Sequence, residues 1–389
     1  MTALDGVRVL DLSRLLPGPF CTLLLADLGA DVIKVEDTDS GDYLRWMPPL
    51  AGEYSAMFHP LNRNKRSVAL NLKTPAGRDA FLRLLDTADV VLESFRPGVM
   101  DRLQLGWDVL HARNPRVVLC SISGYGQDGP YRDRAGHDLN YAAIAGVLSL
   151  GGSASGEPAM PGLQVGDLGA GALHAAVAIL AALHQRTSTG EGQHCDIAML
   201  DGLVSWLAPH AALFFADGTV PAANTLTLNG RNPCYRLYAC ADGYLSLGAL
   251  EPKFWRAFVE AIGLPHLVDS GFADGDEAQR VVAEVESVLE GRTRAEWAAL
   301  FSGADVCCEP LLHVDETFAN EQVRHRRMQV DAGVGGPTAQ CASPIRMSAS
   351  PFAVRRVAPG YGEHTREVLQ DAGYDAASVG TLIAEGAAR

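Results

Sequence analysis

Short apolar runs alternate with helix-like stretches over the first 125 residues of the chain. Runs of strand length occupy Val7–Leu12, Val32–Val35, Ser67–Leu72, Asp89–Glu93 and Arg116–Ser121. Pro17 begins an apolar helix that ends at Gly29, and Pro75 begins another that continues to Leu85. Strands this short and apolar, separated by helices, predict a parallel sheet covered by helices on both faces.

The pattern changes in the second half of the chain. Asp167–Gln185 predicts a helix with Leu173, Val177 and Leu180 on one face, and His194–Ala198 predicts a strand. Near residue 215 the composition shifts, and Ala241-Asp-Gly between two strand-like runs is typical of a hairpin. Helices are predicted at Pro252–Ile262, Glu277–Leu289, Arg294–Phe301 and Glu363–Ala372.

Length and charge limit the classes of protein to consider. The chain has 389 residues, enough for two domains, and a net charge of -14 from 46 acidic and 32 basic residues. An acidic chain is unsuited to a nucleic-acid backbone, so no nucleic-acid partner is expected. The longest uncharged apolar stretch, Leu173–Leu183, is shorter than the roughly 18 residues of a membrane span. With no signal-like start, we expect a cytoplasmic protein without a membrane partner.

Cofactor motifs point to neither a metal nor a dinucleotide. The eight cysteines form no CxxC pair, so no metal site is expected. The chain has no Walker A motif, and the nearest match to a dinucleotide fingerprint, at 169–174, lacks its last glycine. We therefore expect no bound cofactor.

Basic residues concentrate at two predicted strand ends. The run at residues 62–66 holds three cations, and Ser94-Phe-Arg96 directly follows the Asp89–Glu93 strand, with Arg102 beyond it. Taken alone, a charged run is more often a solvated turn. Because ligands bind at the carboxyl ends of parallel strands, these residues together also predict a pocket for a phosphorylated ligand.

Three residues are candidates for chemistry, each with an ordinary structural alternative. His137 follows a glycine-rich turn, where a lone histidine is usually structural. Asp167 begins the small-residue helix and could be its N-cap or a carboxylate that faces a cleft. Glu251 ends an apolar run before Pro252, at a solvent-facing end or in a site.

Several motifs together resemble CoA-transferase family III, the superfamily that includes the α-methylacyl-CoA racemases. The match runs nearly end to end. The carrying segments are Gly6-Val-Arg-Val-Leu-Asp-Leu, Pro17-Gly-Pro, the segment 27–36, Asn64-Lys-Arg-Ser, Phe95-Arg-Pro-Gly, Ser123-Gly-Tyr-Gly-Gln-Asp-Gly-Pro, Gly136-His-Asp, Asp167 and the segment 189–196.

The resemblance implies an acyl-CoA thioester as substrate and an α/β fold. A large Rossmann-like domain with a parallel sheet would be built from both chain ends, residues 1–215 and 325–389. A smaller α+β domain, residues 222–320, would be inserted between them, and two chains would interlock as a homodimer. The CoA contacts carried over by position are Leu72, Lys73, Ser94, Phe95, Arg96, Arg102 and the segment Gly136–Tyr141.

The resemblance leaves two reactions open. A racemase needs an acid and a base on either side of the α-carbon, and His137 with Asp167 could form that pair while Glu251 orients the imidazole. A transferase needs Asp167 alone, as the nucleophile that forms a mixed anhydride before CoA passes to an acid. All three residues are present, which favours the racemase. Two departures from the racemase pattern, Asp37 and the segment 229–235 with Arg231, favour the transferase.

Overall fold

The computed structural model describes residues 2–153, 155–333 and 338–389 of the chain. They form two compact units. Unit 1 contains Met1–Ala145, Gly162–Trp206 and Glu321–Arg389, and unit 2 contains Gly146–Pro161 and Leu207–Asn320. The division expected from sequence extended the large domain to residue 215 and did not assign residues 146–161 to the smaller one.

The strands and helices are as follows. The strands are β1 (Arg8–Asp11), β2 (Asp31–Glu36), β3 (Leu50–Ala51), β4 (Tyr54–Ser55), β5 (Lys65–Ala69), β6 (Val90–Glu93), β7 (Val118–Ser123), β8 (His194–Ala198), β9 (Tyr235–Cys240), β10 (Gly243–Gly248), β11 (Cys308–Pro310), β12 (Gln329–Asp331) and β13 (Ala339–Cys341). The helices are α1 (Pro17–Asp27), α2 (Phe58–Asn62), α3 (Pro75–Leu85), α4 (Val99–Arg102), α5 (Trp107–Arg113), α6 (Asp138–Ile144), α7 (His174–Thr189), α8 (Met199–Trp206), α9 (Ala208–Asp217), α10 (Pro252–Ala261), α11 (Gly275–Leu289), α12 (Arg294–Phe301), α13 (Val314–Ala319), α14 (Glu321–His325), α15 (Thr365–Asp371) and α16 (Ala376–Ala384).

A six-stranded parallel sheet forms the centre of unit 1, with strand order β5-β2-β1-β6-β7-β8. The prediction of an α/β fold with a parallel sheet is confirmed. From β1 the chain proceeds outward through β2 to β5, then returns to the other side of β1 to form β6. The direction of strand addition therefore reverses between β1 and β6. In open α/β sheets a ligand site forms outside the carboxyl ends of the strands at such a reversal.

The core of unit 1 explains why its strands are almost entirely apolar. Val9, Leu10, Val90 and Val91 are fully buried, since helices cover both faces of the sheet. One core cluster joins the sheet to α3 and to the last two helices, through Phe81 of α3, residues 368 and 369 of α15, and residues 379 and 382 of α16. Both ends of the chain thus belong to one core.

One long helix combines two helical geometries. Val165–Leu173 is a π-helix that continues directly into α7. Its small residues allow close packing, because a Cβ added at Gly171 would lie 3.0 Å from Met199 of α8. Single π-helical turns often occur at functional sites.

The helix Val165–Thr189 also corrects the sequence-based estimate of apolar length. It has 25 residues, and it is the one described helix long and apolar enough to cross a membrane. The expected maximum, Leu173–Leu183, was shorter than this helix. Core helices of soluble proteins can have the same length and composition, and 44% of an 18-residue apolar window of this helix is buried inside the structure.

Unit 2 contains a three-stranded antiparallel sheet of order β11-β10-β9. The β9–β10 hairpin pairs Cys240 with Gly243 across the predicted Ala241-Asp turn. Tyr238 and Leu245 of the sheet pack with Phe258 of α10 and Val281 of α11 in one core. Two-stranded antiparallel sheets, β3–β4 and β12–β13, belong to unit 1.

Candidate active site

A cavity of about 480 Å³ lies in unit 1 where β1, β6 and β7 end. Its wall includes Arg14 after β1, the residues 94–97 after β6, and Ser123 at the end of β7. This is the position that the strand reversal predicts. The sequence-based candidates that line it are Ser94, Phe95, Arg96, Gly136, His137, Tyr141 and Asp167.

His137 is the residue before α6, on a short segment whose backbone is held by hydrogen bonds. The backbone N–H of His137 donates to Asn140 Oδ1 over 3.0 Å. The hydroxyl of Tyr141 donates to the carbonyl of Gly136 over 2.5 Å. A Cβ at Gly136 would lie 2.7 Å from the Tyr141 ring, so only glycine allows this approach. The imidazole is exposed to the cavity from an anchored segment.

Asp167 is the third residue of the π-helix and does not cap it. The helix starts after Gln164 and has no side-chain cap, so the N-cap interpretation is wrong. The N–H of Asp167 donates to Asp138 Oδ2 over 2.9 Å, which fixes the start of the helix against α6. Burial and the neighbouring Asp138 carboxylate raise the pKa of Asp167, His137 opposes them, and the net value is about 6.

The cavity therefore holds an imidazole and a carboxyl group that changes charge near neutral pH. Tyr43 and Tyr141 belong to the same wall. Burial raises the pKa of both phenols, that of Tyr141 to about 12, and the charge of Asp167 contributes to each shift. Both phenols therefore stay protonated at neutral pH. Such a set can move a proton, or the carboxylate can attack a carbonyl.

Four arginines give the cavity a positive lining. They are Arg14, Arg96, Arg132 and Arg134. Arg14 is already paired with Asp37, with 2.8 Å between Nη2 and Oδ2. Anionic groups of a ligand would meet these side chains first.

A second cavity, of about 170 Å³, adjoins the first through Arg14 and Phe95. Leu72 and Lys73 line it, together with Asp37. Leu72 and Lys73 are predicted CoA contacts that the main cavity lacks. Their role in CoA binding stays a prediction.

Two further candidates lie elsewhere. Arg102 ends α4, and its Nη1 would be 3.5 Å from a Cβ added at Gly98. Glu251 is an exposed residue of unit 2 that precedes α10 and makes no capping hydrogen bond. The proposed contact of Glu251 with the imidazole of His137 stays a prediction. Among the described residues no group of His, Cys, Asp or Glu is arranged to hold a metal ion.

The basic run at residues 62–66 is not part of this site, and the prediction that it contributes to a ligand pocket is wrong. Arg63 forms an ion pair with Asp27, with 2.6 Å between Nη2 and Oδ2. Lys65 forms another with Asp11, with 3.3 Å between Nζ and Oδ2. Residues 63 and 65 are at most 2% exposed. The run enters β5, which turns its cations into the protein, where carboxylates already neutralise them.

Sequence reasoning missed several lining residues, among them Arg14, Tyr43, Arg132 and Arg134. Arg14 had a usable signal, because it follows the apolar run that forms β1. Tyr43 had none, since it begins a short 3-10 helix, Tyr43–Trp46, and does not directly follow a strand of the large sheet.

Comparisons with known proteins agree with this geometry. A family model described as CoA-transferase family III matches residues 4–365. The crystal structure of a CAIB/BAIF family protein from Brucella suis is similar to this chain with a TM-score of 0.84 and 32% identity, covering 95% of this chain and 99% of that one.

Curated relatives divide between two activities at similar identity. Succinyl-CoA:glutarate CoA-transferase of Homo sapiens is 33% identical over 98% of this chain and 89% of that protein. Alpha-methylacyl-CoA racemase of Homo sapiens is 34% identical over 96% of this chain and 94% of that protein. Succinyl-CoA:mesaconate CoA-transferase of Haloarcula marismortui is 35% identical, with coverages of 96% and 98%. Identity alone therefore does not select a reaction.

Proposed function

Since this chain belongs to CoA-transferase family III and is an acyl-CoA enzyme, we propose that it is a 2-methylacyl-CoA racemase. The observation that carries this proposal is the presence of His137 and Asp167 in the wall of one cavity. One group removes the α-proton beside the thioester carbonyl, and the other returns a proton to the opposite face. The stereocentre is thereby inverted without any bound cofactor.

The pKa of Asp167, about 6, suits both roles that a racemase base must play. Near neutral pH a small fraction of the carboxyl groups carries a proton, so Asp167 can accept the α-proton in one direction and supply it in the other. An ordinary aspartate with a pKa near 4 would return the proton poorly.

The enolate that forms between the two transfers needs hydrogen-bond donors at the thioester oxygen. The protonated phenol of Tyr43 and the cationic side chain of Arg96 are donors in the same cavity wall. Ser94, Phe95 and Arg96 would contact the pantetheine and phosphate portion of CoA, with Leu72 and Lys73 in the adjoining cavity. Glu251 would orient the imidazole of His137.

A second function, CoA transfer between carboxylic acids, is favoured by Arg132 and Arg134. Among the described residues, Arg132 forms an ion pair only with its sequence neighbour Asp133. The guanidinium of Arg134 lies over the ring of Tyr131, with 4.7 Å from Cζ to the ring centre. Either could hold the carboxylate of an acceptor acid. In this reaction Asp167 attacks the thioester and CoA leaves as the thiolate, which gives a mixed anhydride. The thiolate then attacks the Asp167 carbonyl, so the donor acid leaves and an aspartyl-CoA thioester remains. The acceptor carboxylate attacks this thioester and displaces CoA, which finally attacks the acceptor carbonyl of the new anhydride and frees Asp167.

The deciding experiment measures entry of solvent deuterium at the α-position of 2-methylacyl-CoA thioesters of several chain lengths, without any free acid. A racemase gives exchange. CoA exchange with a free acid, together with a hydroxylamine-sensitive adduct on Asp167 and no deuterium at the α-position of any thioester, contradicts the racemase and supports the transferase.

A His137→Ala variant separates the two reactions further. We expect it to lower α-proton exchange at least about 100-fold, because one of the two proton-transfer groups is lost. CoA transfer would only slow. His184→Ala, on the exposed surface of α7, is the matched control and should keep wild-type exchange. Equal exchange rates in both variants would contradict the role of His137.

We further propose that the protein acts as a cytoplasmic homodimer. Leu173, Val177 and Leu180 form an apolar stripe along the helix Val165–Thr189, and their side chains are exposed in the single chain. A second copy of the chain would cover this stripe. Sedimentation equilibrium should give about twice the chain mass of 41.4 kDa, and a monomer at micromolar concentration would contradict the proposal.

A further inference from the structure

A polar cavity of about 220 Å³ lies behind the loop 94–97. Arg96, Pro97 and Arg132 line this cavity and the main one as well. The loop that carries the expected CoA contacts is thus a thin partition. A rearrangement of side chains in the rear cavity can therefore change the shape of the main cavity.

Three neighbouring strands each place one polar side chain in the rear cavity. Glu93 ends β6, Ser121 lies opposite it in β7, and His194 begins β8. Ser121 Oγ lies 2.9 Å from His194 Nε2, and its hydroxyl also bonds to the carboxylate of Glu93. We refer to Glu93, Ser121 and His194 as the polar row.

The polar row is tied directly to the loop. The N–H of Phe95 donates to Glu93 Oε2 over 2.7 Å, which folds the chain back immediately after β6. Glu93 is only 4% exposed, so this bond is shielded from water. A bond from a backbone N–H to an ionised carboxylate is stronger than the same bond to a neutral acid.

We propose that Glu93 is a positioning residue that holds the loop 94–97 in its ligand-binding conformation, and that proton uptake by the polar row loosens this hold. The inference rests on the proposed binding of CoA at this loop. With Glu93 ionised, Ser121 donates to it and accepts from His194. With Glu93 protonated, its O–H donates to Ser121 Oγ and the Ser121 hydroxyl donates to His194 Nε2, which requires the neutral imidazole to carry its proton on Nδ1 instead.

The surroundings place this change near neutral pH. Burial and the charges of Asp196 and Asp101 raise the pKa of Glu93, the bonds from Ser121 and Phe95 oppose this, and the net value is about 7. Burial lowers the pKa of His194 below its ordinary value. Arg96 and Arg132 are cations that face the same cavity. Because the pKa of Glu93 is raised while that of His194 is lowered, Glu93 takes up the first proton as pH falls.

The rear cavity has a further unsatisfied group. Gln127 Nε2 is buried and has no hydrogen-bond partner among the described residues, while the Gln127 N–H donates to Asp196 over 2.9 Å. The amide can therefore donate a hydrogen bond to water in this cavity.

The test is the dissociation constant of CoA, measured by calorimetry from pH 5.5 to 8.5. Glu93→Gln keeps the volume of the side chain and removes its charge. We expect it to weaken CoA binding about 3- to 10-fold at pH 8 and to match the wild type at pH 5.5. Both proteins experience the same titration of the CoA phosphate, so the difference between their curves isolates Glu93. Glu191→Gln, in an exposed turn, is the charge-matched control and should follow the wild type.

Ser121→Ala gives a second, independent reading. It removes a bond that lowers the pKa of Glu93, so the pH at which CoA affinity falls should be higher than in the wild type. Parallel curves for wild type and Glu93→Gln overturn the inference. If Glu93→Gln fails to fold, equal midpoints in the affinity curves of wild type and Ser121→Ala overturn it instead. Absence of CoA binding by the wild type at every pH overturns the proposed function and this inference together.

Discussion

The chemistry of Asp167 depends on a second carboxylate that the sequence places 29 residues earlier. Asp138 accepts the backbone N–H of Asp167 and also raises the pKa of its side chain. One residue therefore both locates the start of the π-helix and sets the charge of the group it carries. A carboxylate near another carboxylate is held closer to neutrality than one near a cation.

Replacing Asp138 by Asn should lower the pKa of Asp167 below about 6, because the amide can still accept the Asp167 N–H but carries no charge. The acid limb of the pH profile for α-proton exchange, or for CoA transfer, should then move down by roughly 0.5 to 1 on the pH scale. Asp128→Asn, on the exposed turn after β7, is the control. An unchanged acid limb would show that Asp138 acts through the backbone alone.

Residues that follow a strand could be identified from sequence, and those that depend on distant partners could not. Ser94 and Arg96 were placed correctly because the apolar run before them marks a strand end. Arg63 and Lys65 were misplaced because their partners, Asp27 and Asp11, lie 36 and 54 residues earlier. No local pattern shows that a charged side chain has a buried counter-ion.

At the scale of elements, the helix that carries Asp167 was predicted and its geometry was not. Sequence indicated Asp167–Gln185, and the structure has Val165–Thr189 with nine π-helical residues at its start. Propensity does not distinguish π from α geometry, since both are compatible with small apolar residues. Packing against α8 distinguishes them here, and Gly202 of α8 lies directly against the π-helix.

Gly202→Ala should separate α8 from the helix that carries Asp167. The added Cβ would lie 2.7 Å from Ala170 Cβ and 2.8 Å from its carbonyl oxygen, both too close for the backbones to remain in place. We expect the free energy of unfolding to fall by about 1–3 kcal/mol, with a loss of activity.

Gly380→Ala in α16 is the matched control for denaturant unfolding. It meets nothing within 4 Å, and it should stabilise the protein by up to about 1 kcal/mol through helix propensity. Equal stability of the two variants would contradict close packing at Gly202.

At the scale of the whole molecule, ion pairs join segments far apart in sequence. Nη2 of Arg66, in β5, lies 2.7 Å from Asp31 Oδ2 in β2. Nη1 of the same side chain lies 2.9 Å from Glu367 Oε1 and 2.9 Å from Asp371 Oδ2, both in α15. Its guanidinium thus links the sheet to a helix about 300 residues later. Such pairs explain how an acidic chain uses cations in the interior of unit 1.

Arg66→Gln should lower stability at pH 7 by about 1–3 kcal/mol, because three carboxylates lose their common partner. Its CoA affinity should be unchanged. The pKa of Asp31 is lowered in the folded protein, so the stabilisation it supplies is present at neutral pH and fades as pH falls through that lowered pKa. The difference in the free energy of unfolding between Arg66→Gln and the wild type should therefore become smaller at acidic pH.

Denaturant unfolding at several pH values checks this prediction. Arg113→Gln, which removes an exposed pair with Asp86, is the control and should lower the free energy of unfolding less than Arg66→Gln does. A weaker CoA affinity in Arg66→Gln would restore the ligand-binding interpretation of the basic run.

The three-segment construction of unit 1 has a consequence for synthesis on the ribosome. The six strands of its sheet are complete by residue 198, but α15 and α16, which cover part of their core, are complete only at residue 384, after all of unit 2. At about 5–20 residues per second, the nascent sheet waits about 9–37 s with that face uncovered. Chaperones that shield nascent apolar surfaces therefore have a defined interval in which this protein needs them, and slow codons within unit 2 would lengthen it.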